Sequence, residues 1–149
     1  EGSGETVGPA AESAREIRRQ ERGAGTGKTV VVVEDEAINR LYLVRLLEER
    51  GWRVLHTGNG EEAVELASGG ECALILMDLS LQGMGGLEAA RRIRAAEATA
   101  GRRGVPIIAL TAHAGEDYRE RCRKAGMEGF LPKPFQEKGL WAEMERVLK

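Results

Sequence analysis

Cys72-Ala73-Leu74-Ile75-Leu76-Met77-Asp78 is a run of six apolar residues closed by an acid. Such a run, with no polar alternation, reads as a β-strand buried on both faces, the signature of a parallel sheet. A carboxylate at its C-terminal tip falls where open α/β sheets place their ligands. Two other strand ends carry matching groups. Val30-Val31-Val32-Val33 runs into Glu34-Asp35, and Gly129-Phe130-Leu131-Pro132 runs into Lys133-Pro134. Three acids and a lysine at three strand ends describe a pocket for a divalent cation and a phosphoryl group.

Strand and helix signals alternate five times from Thr29 onward. The pattern predicts strands over Thr29–Val33, Arg53–Thr57, Cys72–Met77, Val105–Leu110 and Glu128–Leu131. Helices are predicted from about Ala37 to Arg50, Glu61 to Ser68, Gly86 to Ala98, His113 to Ala125 and Gln136 to Leu148. The first helix is expected to set Ile38, Leu41, Val44 and Leu47 along one side, with Gly51 as its stop. The last sets Leu140, Met144, Val147 and Leu148 at helical spacing. Pro106 falls near the start of the fourth strand, where a missing donor is tolerated. Five βα units imply an α/β fold, a doubly wound parallel sheet covered on both faces. In the flavodoxin-like (βα)5 order 2-1-3-4-5, strands one and three meet at the switch point, and Glu34, Asp35 and Asp78 converge.

Composition narrows the function classes. A chain of 149 residues with 42% hydrophobic content is enough for one self-sufficient core. A net charge of −2 provides no overall pull toward nucleic acid or anionic membrane. Cys72 and Cys122 lie inside a predicted strand and a predicted helix, without metal-ligand or redox spacing, which fits a reducing compartment and a cytoplasmic location. No apolar stretch approaches the ~20 residues needed to span a bilayer. Residues 1–28 differ from the rest: Gly and Ser dominate the start, and Ala10 to Arg22 is a charged stretch whose only large aliphatic is Ile17. This segment reads as a linker, partly helical or flexible, ahead of a domain over residues 29–149. The first residue is not Met, so the chain reads as part of something longer or as a processed product. Gly25-Thr26-Gly27-Lys28-Thr29 looks like a fragment of a phosphate-binding loop, but it precedes a strand and lacks the first glycine of that motif.

The residue types specify the chemistry. Asp78 is the candidate nucleophile, since a carboxylate can accept a phosphoryl group as an acyl phosphate. Mg²⁺ suits the acids, being hard and oxygen-seeking. Asp35 and Asp78 are placed to ligate it directly, Glu34 through a water, and the Ser80 backbone carbonyl to complete the protein ligands. Lys133 offers a point charge to the phosphoryl oxygens, and Thr111 offers a hydroxyl. Backbone N–H groups around Leu79 and Ala112 are candidate further donors.

On these residues the chain resembles the receiver domain of two-component response regulators, over about residues 29–149. Val33-Glu34-Asp35-Glu36 is similar to the acidic pair after strand one, and Met77-Asp78 to the phosphoacceptor. Leu110-Thr111-Ala112 is similar to the hydroxyl switch and Leu131-Pro132-Lys133-Pro134-Phe135 to the lysine motif. Phe130 occupies the aromatic switch position. Glu34-Asp35-Glu36-Ala37-Ile38-Asn39-Arg40, Asn59-Gly60-Glu61-Glu62-Ala63, Ala109-Leu110-Thr111-Ala112-His113-Ala114 and Ala125-Gly126-Met127 resemble the C-terminal receivers of hybrid sensor histidine kinases. The resemblance implies transfer from a phosphohistidine onto Asp78 with Mg²⁺. The donor is the kinase dimerisation domain or a histidine phosphotransfer protein. It also implies a signalling component rather than a metabolic enzyme, with self-catalysed phosphotransfer and hydrolysis only. Thr111 would move toward the phosphoryl group and Phe130 would turn inward. The face built by the fourth helix, fifth strand and fifth helix would then change, and that face or the N-terminal segment offers a homodimer surface. No direct nucleic-acid or membrane contact by residues 1–149 is expected.

The loop after the acceptor departs from the family: Gln82 stands where a proline is usual and Gly85 where an acid is usual. Two alternatives stay open. One is a phosphorylation-independent adaptor that kept the fold. The other is a Mg²⁺-dependent aspartyl phosphatase, disfavoured because Ser80 stands where such enzymes carry a second Asp.

Overall fold

The computed structural model describes residues 27–69 and 71–149. The proposed linker at 1–28 lies outside the described residues except for its last two. Strands β1 (Thr29–Val33), β2 (Arg53–Thr57), β3 (Cys72–Asp78), β4 (Ile107–Thr111) and β5 (Gly129–Pro132) alternate with five helices. These are α1 (Ala37–Glu49), α2 (Gly60–Ala67), α3 (Gly86–Ala100), α4 (Glu116–Lys124) and α5 (Glu137–Leu148). All strand pairs are parallel, in the order β2-β1-β3-β4-β5. The expected doubly wound sheet is therefore present.

The period-2 alternation of strands divides the core into two layers. Val31, Val33, Ile75, Met77, Ile107 and Ala109 face Ala63, Ala89, Ala90, Ile93 and Cys122 of α2, α3 and α4. Val30, Val32, Leu74, Leu76, Ile108 and Leu110 face Leu43, Leu46 and Leu47 of α1, and Leu140 and Met144 of α5. Both faces are covered, which is why these strands read as unbroken apolar runs.

Several boundaries and one helix face differ from the sequence expectation. In α1 the buried side chains are Leu43, Leu46 and Leu47, while Ile38 and Leu41 are 80% and 58% exposed. The helix carries two overlapping apolar stripes, and the one that lands on Val30, Val32, Leu74 and Leu76 is the later one. β4 begins at Ile107 rather than Val105, because the Val105 amide is drawn to the Glu97 carboxylate at 2.9 Å. The Pro106 carbonyl still accepts from the Ile75 amide at 3.0 Å. α4 begins at Glu116 rather than His113, with Gly115 as its N-cap. Glu116 and Asp117 in its first turn and Arg121, Arg123 and Lys124 in its last complement the helix dipole. α3 runs on to Ala100 and is closed by Gly101 in the left-handed conformation (φ 67°).

Gly86, the first residue of α3, is where the fold presses closest on the site. A methyl there would strike the Asp78 carbonyl oxygen and lie 2.9 Å from Leu79 Cα. Neither backbone atom can yield without moving the end of β3. Gly86→Ala is expected to destabilise by about 2 kcal/mol or more, measured by urea unfolding. A stability equal to wild type would contradict this packing.

Candidate functional site

Each candidate side chain sits where a strand stops. β1 ends at Val33, and the Glu34 amide donates to the Thr57 carbonyl at 3.0 Å, carrying the chain out over the sheet edge. Glu34 is 1% exposed and Asp78, the last residue of β3, is also 1% exposed. Ligand oxygens of Glu34, Asp35 and Asp78 all lie within 4.8 Å of one another. The expected convergence at the β1/β3 switch point is therefore observed. Three hard carboxylate donors at that spacing fit a divalent cation of the Mg²⁺ class.

Lys133 closes the pocket from β5. Its Nζ lies 3.2 Å from Glu34 Oε1 and 3.3 Å from Asp78 Oδ1. The Lys133–Pro134 peptide is cis, and the Lys133 amide donates to the Thr111 carbonyl at 2.7 Å. Burial, then the neighbouring Asp78 charge, push the Glu34 carboxyl above the usual glutamate range, with Lys133 opposing them. Burial works to lower the Lys133 pKa. Asp78 and Glu34 together outweigh it, so the net direction is upward and the ammonium stays charged.

The loops supply backbone donors. The Ser80 amide donates to Asp78 Oδ1 at 3.0 Å, and the Gln82 amide to Asp35 Oδ2 at 3.3 Å. The position that departs from the family thus still orients an acid through its backbone. The Leu79 amide, a candidate donor from sequence, is instead spent on the Leu110 carbonyl at 3.0 Å. Thr111 is 1% exposed at the tip of β4, and its Oγ1 accepts from the His113 amide at 2.9 Å.

Phe130 differs from the expectation that its ring awaits a signal to turn inward. It is already buried, at 7% exposure, in the layer of Ala109 and Cys122. Arg119 of α4 lies over the ring at 4.7 Å, and the Phe130 amide donates to Glu143 Oε2 of α5 at 2.9 Å. Glu143 is missed by sequence reasoning, because nothing in a helical Glu signals that it will hold an edge-strand amide. The hydrogen bond from Arg146, and then that from Phe130, hold its carboxyl below the usual range. A depressed carboxyl contributes stability that is full above its ordinary value of 4.5 and is lost as pH falls through the lower folded value. Glu143→Gln is therefore expected to flatten the stability–pH curve between 4.5 and the lower folded value. An unchanged acid limb would contradict the assignment.

Comparisons with known proteins agree with this geometry. The family model described as response regulator receiver domain matches residues 30–145. The transcriptional regulatory protein PdtaR of Mycobacterium tuberculosis is 38% identical over 113 residues, covering 75% of this chain and 52% of PdtaR. The chain thus spans about half the length of the first curated relatives it matches. The receiver domain of the sensor histidine kinase PA1611 of Pseudomonas aeruginosa was crystallised with a magnesium ion coordinated in its active site cleft. It superimposes with a TM-score of 0.71 at 36% identity, covering 82% of this chain and 98% of that one. The receiver domain of the histidine kinase CKI1 of Arabidopsis thaliana, solved in complex with Mg²⁺, gives 0.72 at 31% identity, covering 82% and 92%. Among the described residues no helix is long and apolar enough to cross a membrane. The family match takes in the acids after β1, Asp78, Thr111 and Lys133, all of which the sheet order brings to one edge; this chain belongs to the family of response regulator receiver domains.

Proposed function

We propose that this domain accepts a phosphoryl group from a phosphohistidine onto Asp78, with Mg²⁺ held by Asp35, Asp78, Glu34 and the Ser80 carbonyl. The observation that carries the reading is the placement of Lys133 Nζ between Glu34 and Asp78 beside a three-carboxylate cluster. Asp78 Oδ1 is held by Lys133 and the Ser80 amide, which leaves Oδ2 to attack phosphorus. The O–P bond forms as the P–N bond breaks, and its electron pair returns to the donor imidazole. When bound, Mg²⁺ supplies charge neutralisation for the phosphoryl oxygens. Lys133 offers them its ammonium. The Thr111 hydroxyl, accepting from His113, keeps its proton to donate.

Switching then runs through Thr111 to α4, β5 and α5. Phe130 is already seated, so the change is a redistribution among Arg119, Phe130 and Glu143 rather than an entry of the ring. The exposed Ile38, Leu41 and Tyr42 lie at i, i+3 and i+4 on α1, which starts beside the acid pair. That apolar face suits a helical phosphodonor, either a kinase dimerisation domain or a histidine phosphotransfer protein. The receiver unit is residues 29–149, with residues 1–28 as linker; the family match beginning at residue 30 supports that boundary. Origin in a hybrid histidine kinase is supported by the likeness to the PA1611 and CKI1 histidine kinase receivers, and a cytoplasmic place by the two cysteines being free.

The test is incubation with a radiolabelled phosphohistidine phosphotransfer protein. Label is expected to pass to this chain with Mg²⁺ and to stay on the donor when EDTA removes the metal. Equal transfer with and without EDTA would contradict the pocket's assigned role.

A further inference from the structure

Glu34 is tied at both ends of its backbone. Its amide donates to Thr57 O at 3.0 Å, and its carbonyl accepts from Arg40 Nη1 at 2.8 Å. The second bond holds the Glu34–Asp35 peptide, whose plane sets where both carboxylates point. Gly58 leaves room for the guanidinium: a methyl there would sit 3.2 Å from Arg40 Nη1 and 3.5 Å from Asp35 Cα.

Folding stability alone does not single out an arginine here, because its bond to the Glu34 carbonyl is set against two costs. Its Nε is the one buried side-chain polar atom without a hydrogen-bond partner among the described residues, and such burial is unfavourable. Arg40 is also the fourth residue of α1, near the positive end of the helix, where a cation is disfavoured. A methionine would avoid both penalties, at the loss of the donor to the Glu34 carbonyl.

We propose that Arg40 is a positioning residue for the acid pocket, with Gly58 as its clearance: by gripping the Glu34 carbonyl it fixes the directions of the Glu34 and Asp35 carboxylates for a divalent cation. The proposal rests on reading that pocket as a Mg²⁺ site. Its sign separates it from a simple charge effect. A guanidinium near a cation site repels the cation, so removing the charge alone would tighten Mg²⁺ binding. Removing a grip on the ligands weakens it, as loss of outer partners of metal ligands does.

The experiment is calorimetric titration of the full chain with Mg²⁺ for wild type, Arg40→Met and Gly58→Ala, alongside urea unfolding without metal. Arg40→Met is expected to bind Mg²⁺ about tenfold more weakly while still unfolding cooperatively from a folded state without metal. Binding by a folded Arg40→Met as tight as wild type, or tighter, overturns the proposal. Should that variant fail to fold, Gly58→Ala decides, since it keeps the charge and presses on Nη1: weaker binding supports the proposal and unchanged binding overturns it. Failure of the wild type itself to bind Mg²⁺ would instead contradict the reading of the pocket.

Discussion

Asp78→Asn is expected to take up no phosphate from any donor, while folding as wild type does. The amide has nearly the same shape, so β3 and its neighbours should pack unchanged. What is lost is the anionic oxygen that attacks phosphorus, because an amide oxygen is a poor nucleophile and cannot hold a stable phosphoryl group. Asp35 and Glu34 do not replace it. Asp35 Oδ2 accepts from the Gln82 amide and Glu34 Oε1 from Lys133, so each is committed to shaping the pocket. The expected loss is complete within detection, and phosphate retained on the Asn variant would place the acceptor elsewhere.

Lys133→Ala is expected to have the second largest effect, on stability and on response together. Lys133 is the ammonium between two carboxyl groups whose side chains are each about 2% exposed. Removing one partner of a buried ion pair leaves uncompensated charge, at about 3–5 kcal/mol. Lys133 itself is 25% exposed, which brings the expected loss down to or below the lower limit of that range, about 2–3 kcal/mol. Mg²⁺ provides replacement charge, so the variant should gain more stability from Mg²⁺ than wild type does. Phosphorylated variant should also leave the α4–β5–α5 face unchanged, because no ammonium draws the phosphoryl oxygens toward β5. Urea unfolding with and without Mg²⁺ checks the first part, and amide chemical shifts of Phe130 and its neighbours check the second. Wild-type stability with a normal response would remove Lys133 from the account.

The sheet and its strand-end residues were legible because burial on both faces forces continuous apolar runs, and each run ended in the group that the site uses. Asp78, Glu34, Asp35, Thr111 and Lys133 come together for that reason alone. The rotation of α1 was not legible, since Ile38/Leu41 and Leu43/Leu46/Leu47 both offer helical stripes and only the third dimension chooses between them. The start of α4 was displaced by Gly115, whose role as a cap competes with the helix pattern running through His113. The seat of Phe130 depends on Arg119 and Glu143, residues from two other elements that no local pattern connects to it. Arg40 left one faint signal, a cation near the unfavourable end of a helix, and its partner is a backbone carbonyl that sequence does not reveal.

The most direct test of the central claim is intact mass after incubation with acetyl phosphate and Mg²⁺, for wild type and Asp78→Asn side by side. A single, hydrolytically labile phosphate on wild type alone is the predicted result. A folded wild type that gains no phosphate from acetyl phosphate or from a phosphohistidine protein, or an equal gain on Asp78→Asn, would contradict it.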